Sequence, residues 1–96
     1  MQNYQSLIDF LQIPRNIIIT THQKPDGDAM GSSLALYNFL TPLGHTVRVI
    51  SPTEYPAYFS YLPGYDEVYN YLENPSLSQI AIEAAELIFC LDFNDL

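Results

Sequence analysis

Within seven residues the segment His22-Gln-Lys-Pro-Asp26-Gly-Asp28 offers one imidazole and two carboxylates. A further carboxylate, Asp92, follows directly on the apolar run Leu87-Ile-Phe-Cys-Leu91. Oxygen ligands joined by a single imidazole suit a borderline-hard divalent ion, Mn²⁺ first, with Mg²⁺ or Co²⁺ as alternatives, over an all-thiolate zinc site. Two carboxylates from one loop and one from another strand end can share a pair of cations. In two-metal sites the ions lie about 3.5–4 Å apart and clamp the attacking and leaving oxygens of an in-line displacement. The chemistry this pattern points to is hydrolysis of a phosphoester.

Charge narrows the partners. Three Lys and Arg residues stand against eleven Asp and Glu, a formal charge of −8 with His neutral. A fold that grips nucleic acid by its phosphates carries a basic face, and Arg15, Lys24 and Arg48 cannot build one. An anionic substrate would therefore need positive charge from bound metal or from further protein. Gly27 and Gly31 do not make the glycine fingerprint that cradles phosphate directly. Acids at a phosphate seat make sense when divalent cations lie between acid and phosphate.

The elements that would position these groups alternate in type. Tyr4, Leu7, Ile8 and Leu11 recur at helical spacing, in a helix stopped near Pro14. Ile17-Ile-Ile-Thr20 is short and β-branched, as in a strand covered on both faces. After the turn-rich loop Thr21 to Gly27, the positions Met30, Leu34, Tyr37 and Phe39/Leu40 mark a second helix from Ala29 to about Pro42, and Gly44 closes the link to a strand at Val47–Ile50. Asp66 to Leu72 allows a weak strand. Ser76-Leu-Ser-Gln79 has capping-box spacing and opens a third helix through Ile80 to Glu86. Leu87–Leu91 reads as the most buried strand. This alternation predicts one α/β domain with a mostly parallel sheet and flanking helices, and in such sheets ligands sit beyond the carboxyl ends of the strands. His22–Asp28 and Asp92 each follow such an end.

The same residues admit plainer readings. Pro-Asp-Gly-Asp is a good turn in its own right, and Asp28 or Ser32 could simply cap the next helix. His22 could be a satisfied loop histidine and Asp92 an ordinary strand-end acid. Asp95 is expected to be solvated, and Asn94 either orients Asp92 or sits in a turn. His45 falls at the edge remote from the candidate site and reads as structural. The tyrosines at 55, 58, 61, 65, 69 and 71, with so little positive charge near them, suit packing better than base stacking. Glu83 and Glu86 read as solvated helix surface, and Cys90 as a buried, reduced thiol. No secretory signal and no membrane-length apolar run is present, so a cytoplasmic location is expected.

The stretch Thr21-His-Gln-Lys-Pro-Asp-Gly-Asp-Ala-Met-Gly-Ser-Ser33 is very similar to the first motif of the DHH phosphoesterase superfamily, and Leu91-Asp92-Phe-Asn94 resembles its second. Leu40 to Val47 and Pro52 to Gly64 resemble the branch of bifunctional oligoribonuclease and pAp phosphatase enzymes. The resemblance covers nearly the whole chain. It implies a Rossmann-like fold in which His22 and Asp26 ligate the first Mn²⁺, Asp28 the second, and Asp92 bridges both. Asp28 and Asp92 would then stand at the catalytic centre, while Gly31 and Ser32 help place phosphate. The implied substrates are short RNA oligonucleotides or small nucleotide phosphates, with no membrane partner, and a homodimer of the full-length protein is allowed.

The chain departs from the family pattern by ending at Leu96 without the Asp-His-His motif or the C-terminal substrate-binding domain. Residues 1–96 are therefore expected to be the N-terminal portion of a DHH domain, inactive alone. Two rival readings stand beside the oligoribonuclease or pAp phosphatase: a pyrophosphatase or exopolyphosphatase of the same superfamily, and a non-catalytic binding or interaction module.

Overall fold

A computed structural model describes residues 4–21, 27–53 and 60–91. Helix α1 (Tyr4–Phe10) leads to strand β1 (Asn16–Thr21), helix α2 (Gly27–Leu40), strand β2 (Thr46–Ser51), the short strand β3 (Tyr69–Asn70), helix α3 (Pro75–Ala84) and strand β4 (Leu87–Leu91). The four strands form one sheet in the order β3-β2-β1-β4, with every pairing parallel. The expected α/β architecture is thus the observed one. Parallel neighbours need crossovers, and α2 and α3 lie within the β1–β2 and β3–β4 connections.

β1 is the centre of the sheet because its run of isoleucines can be covered on both sides. Ile17, Ile18 and Ile19 are 1%, 4% and 0% exposed. On one face Ile17, Ile19, Val47 and Val49 meet Met30, Leu34 and Leu40, with Val68 closing the cluster. Each of these buried aliphatic side chains contributes about 1.5–3 kcal/mol. On the other face Ile18 and Ile50 are buried, and α3 packs against β3 and β1. Two glycines make sharp local demands. Gly44, at φ 101°, ends the 3₁₀ turn that follows α2. Gly64, at φ 92°, sits where a Cβ would come within 2.7 Å of the Tyr37 ring.

Five sequence expectations change. β4 is not the most buried strand: it lies at the sheet edge with alternating exposure, Ile88 being 51% exposed. The cause is α3, which covers β1 and β3 and leaves the β4 end of that face bare among the described residues. Cys90 shares the bare face and is exposed, not buried. The capping box at Ser76 is not used, since α3 begins one residue earlier with Pro75 after the N-cap Asn74. Pro at the first helical position needs no N–H partner, and the turn before it is held instead by Asn70, whose Oδ1 accepts the Leu72 N–H at 3.0 Å and whose carbonyl accepts the Asn74 N–H at 2.8 Å. Glu86 is not merely solvated, because its carboxylate accepts the Asn16 N–H at 2.7 Å. The weak strand expected over Asp66 to Leu72 is reduced to the two residues of β3.

Candidate metal centre

Two parallel strands that are direct neighbours end together at one rim. In the β1–β4 ladder Ile17 pairs with Leu87 and, four residues on, Thr21 pairs with Leu91. His22 and Asp92 are the next residues after that last pair. Neighbouring strands lie about 4.8 Å apart, so the two chain segments bearing candidate ligands leave the sheet side by side. The position is also where the sheet order reverses, β1 having β2 on one side and β4 on the other. Ligands of open α/β sheets bind in the crevice at such a switch point, outside the carboxyl ends.

His22, Asp26 and Asp92 themselves, with Asn94, Asp95 and Lys24, lie outside the described residues. Of Asp28 only the backbone is described, in the first turn of α2. Gly31 and Ser32 are half-buried one turn further along the same helix, and Ser33 is buried with its Oγ donating to the Ala29 carbonyl at 2.8 Å. Among the described residues no three His, Cys, Asp or Glu side chains gather into a competing metal site.

The chemistry of the donors fits divalent cations: an imidazole and three carboxylates neutralise and ligate hard or borderline ions. The remaining described cations are committed elsewhere. Arg15 stacks on Phe10 at 3.8 Å and pairs with Glu86 at 3.4 Å. Arg48 lies 4.0 Å over the Tyr69 ring, pairs with Glu67 at 3.2 Å and donates to the Glu67 carbonyl. Neither stands at the carboxyl rim. The groove on the α3 face, between Ile18, Arg48, Tyr69, Leu77 and Ile80, is largely apolar and lies toward the amino half of the strands. Tyr69 and Tyr71 serve packing, the latter donating to Gln79 at 3.0 Å, whereas Tyr55 and Tyr58 lie outside the described residues.

Thr21 is the rim residue that spacing alone did not single out. It is 4% exposed, and its Oγ1 is buried with no hydrogen-bond partner among the described residues. The available signal was alternation: Ile17, Ile19 and Thr21 share one side of β1, so a hydroxyl there is aimed into the apolar layer rather than to solvent. His45, by contrast, is structural as expected, buried with Nδ1 accepting the Arg15 N–H at 3.0 Å.

Comparison with known proteins agrees with this fold. The model of the DHH family, N-terminal domain, matches residues 16–96. The chain is 38% identical over 72 residues to the bifunctional oligoribonuclease and PAP phosphatase NrnA of Thermus thermophilus, a match spanning 73% of this chain and 22% of that protein. The crystal structure of an exopolyphosphatase-related protein from Bacteroides fragilis superposes with a TM-score of 0.85 at 35% identity, over 95% of this chain and 27% of the other. The chain thus spans about a quarter of the length of these relatives.

Proposed function

The chain belongs to the DHH family, and on that premise we propose that it supplies the front half of a divalent-metal site in a phosphoesterase acting on short oligoribonucleotides or pAp. The observation that supports the proposal is the β1–β4 register, which ends the two strands that precede the candidate ligands at the same rim. The 38% identity to a protein named for both activities supports the substrate class.

In this reading His22 and Asp26 would hold one cation and Asp28 a second, with Asp92 a ligand to the pair. When bound, such ions supply Lewis acidity, drawing charge from a phosphoryl oxygen and lowering the pKa of a coordinated water. The residues of the chain do the rest. The carboxylates would fix where charge is concentrated, with Asp28 and Asp92 at the catalytic centre. The first turns of α2, with Gly31 and Ser32, present the electropositive end of a 14-residue helix to the phosphate. Mn²⁺ is the ion that the mixed imidazole and carboxylate set favours.

The test is titration of the full-length protein with Mn²⁺ in the presence of pAp and of a diribonucleotide. Metal-stimulated release of phosphate or mononucleotide is the expected result, and failure to hydrolyse either sinks the substrate assignment. A second reading, an exopolyphosphatase or pyrophosphatase, draws on the exopolyphosphatase-related structural relative. Faster orthophosphate release from pyrophosphate or polyphosphate than from pAp would favour it.

A further inference from the structure

We propose that Thr21 is a positioning residue for the cation site, its hydroxyl donating to a ligating carboxylate of the loop that begins at His22; this rests on the metal-site reading above. A hydroxyl buried without a partner carries the full desolvation penalty of the group. Valine has the same shape and β-branching, suits a strand at least as well, and would carry no such penalty. Thr21 nevertheless places a donor at the last position of β1, opposite Leu91 in the ladder and directly before the first candidate ligand. It is 4% exposed, and Oγ1 has no partner among the described residues.

Three features converge on a partner in the loop. Alternation puts Thr21 on the side of β1 that faces α2, with Ile17 and Ile19. That helix begins at Gly27, so only residues 22–26, with the candidate ligands His22 and Asp26, separate the Thr21 hydroxyl from α2 along the chain. Its candidate ligands are acceptors once ionised. Carboxylates that ligate a metal are themselves hydrogen-bonded, and loss of such an outer partner lowers metal affinity about 10–100-fold. A threonine hydroxyl can donate one bond to a carboxylate oxygen and leave the other lone pairs for the ion.

The experiment compares the wild type, Thr21→Val and Thr21→Ser in the full-length protein, with Mn²⁺ alone as the calorimetric probe and a metal-free thermal melt. Thr21→Val is expected to melt at or above the wild-type temperature while binding Mn²⁺ about 10–100-fold more weakly, and Thr21→Ser, which keeps the hydroxyl, to restore most of that loss. Hydrolysis at saturating Mn²⁺ should recover in Thr21→Val, with only the Mn²⁺ requirement raised. Should Thr21→Val lose its cooperative melt, Thr21→Ala, which adds no volume, gives the same reading. Wild-type Mn²⁺ affinity in the folded valine or alanine variant overturns the role of Thr21 and leaves the metal site standing. A folded wild type that binds no Mn²⁺ overturns both.

Discussion

The two rims of the sheet handle polar groups in opposite ways. At the amino rim every charge near the start of β1 is used within the described residues. Arg15 donates its N–H to His45 while its carbonyl accepts the Thr46 N–H at 2.9 Å; Asn16 donates its N–H to the Glu86 carboxylate while its carbonyl accepts the Glu86 N–H at 2.7 Å. The Arg15 guanidinium then pairs with Glu86. These bonds tie the entries of β2 and β4 to that of β1, and the residue left over is the His45 Nε2, buried without a partner among the described residues. At the carboxyl rim the sequence supplies an imidazole, carboxylates and an unspent hydroxyl with no described cation beside them. One rim consumes its charges in holding the strands together. The proposed metal site would gather its ionisable groups at the other rim, as expected of a binding site in a fold whose stability is secured elsewhere.

The contrast can be broken most forcefully at the carboxyl rim. Asp26→Asn should weaken Mn²⁺ binding and hydrolysis by more than about 100-fold, since a direct ligand is worth more than the outer partners that cost 10–100-fold. Calorimetry and product release read this, and the metal-free melt should stay level or rise as like charges are relieved. A loss of stability instead would make this rim scaffolding as well. Next, Mn²⁺ at about 100 times its Kd should stabilise the wild type by about 2.7 kcal/mol, by mass action on the folded state. EDTA should reverse the shift, and Asp26→Asn should show less than about 0.4 kcal/mol at the same concentration.

The amino rim should give the mirror result. His45→Leu keeps an apolar filling but leaves the part-buried Arg15 N–H without its acceptor, at a cost of about 0.5–1.5 kcal/mol in denaturant unfolding, with Mn²⁺ affinity unchanged. A change in metal affinity there would mean that the rims are coupled through β1. The smallest effect belongs to Glu86→Gln, which retains an acceptor for the Asn16 N–H and removes only a largely exposed ion pair. About 0.2–1 kcal/mol is expected, fading as salt is raised; the ionic-strength dependence of the melt checks it.

Much of the scaffold was legible along the chain. Ile17–Ile19 announced a strand buried on both faces because consecutive β-branched residues have no polar side to turn to solvent. Met30, Leu34 and Leu40 announced the inward stripe of α2, although Phe39, beside them in sequence, turns out 64% exposed. Periodicity misjudged β4 for a definite reason. Leu87–Leu91 is apolar at every position, and such a run cannot reveal that one of its faces lacks a cover among the described residues. Nor could composition tell that Ser76 lies inside α3 rather than before it, because Asn74-Pro75 supplies an equally good start.

For the site, the types and spacing of His22, Asp26, Asp28 and Asp92 determined that metal-assisted phosphoester chemistry was the reading to pursue, since ligand preference depends on donor atoms that sequence states outright. What sequence could not determine was neighbourhood. Seventy residues separate Thr21 from Leu91, and only the parallel β1–β4 pairing makes them partners, because backbone hydrogen bonds between strands depend on register and order rather than on distance along the chain. The buried Thr21 hydroxyl is of the same kind: its residue type was plain from the start, but its cost became visible only once the layer around it had closed.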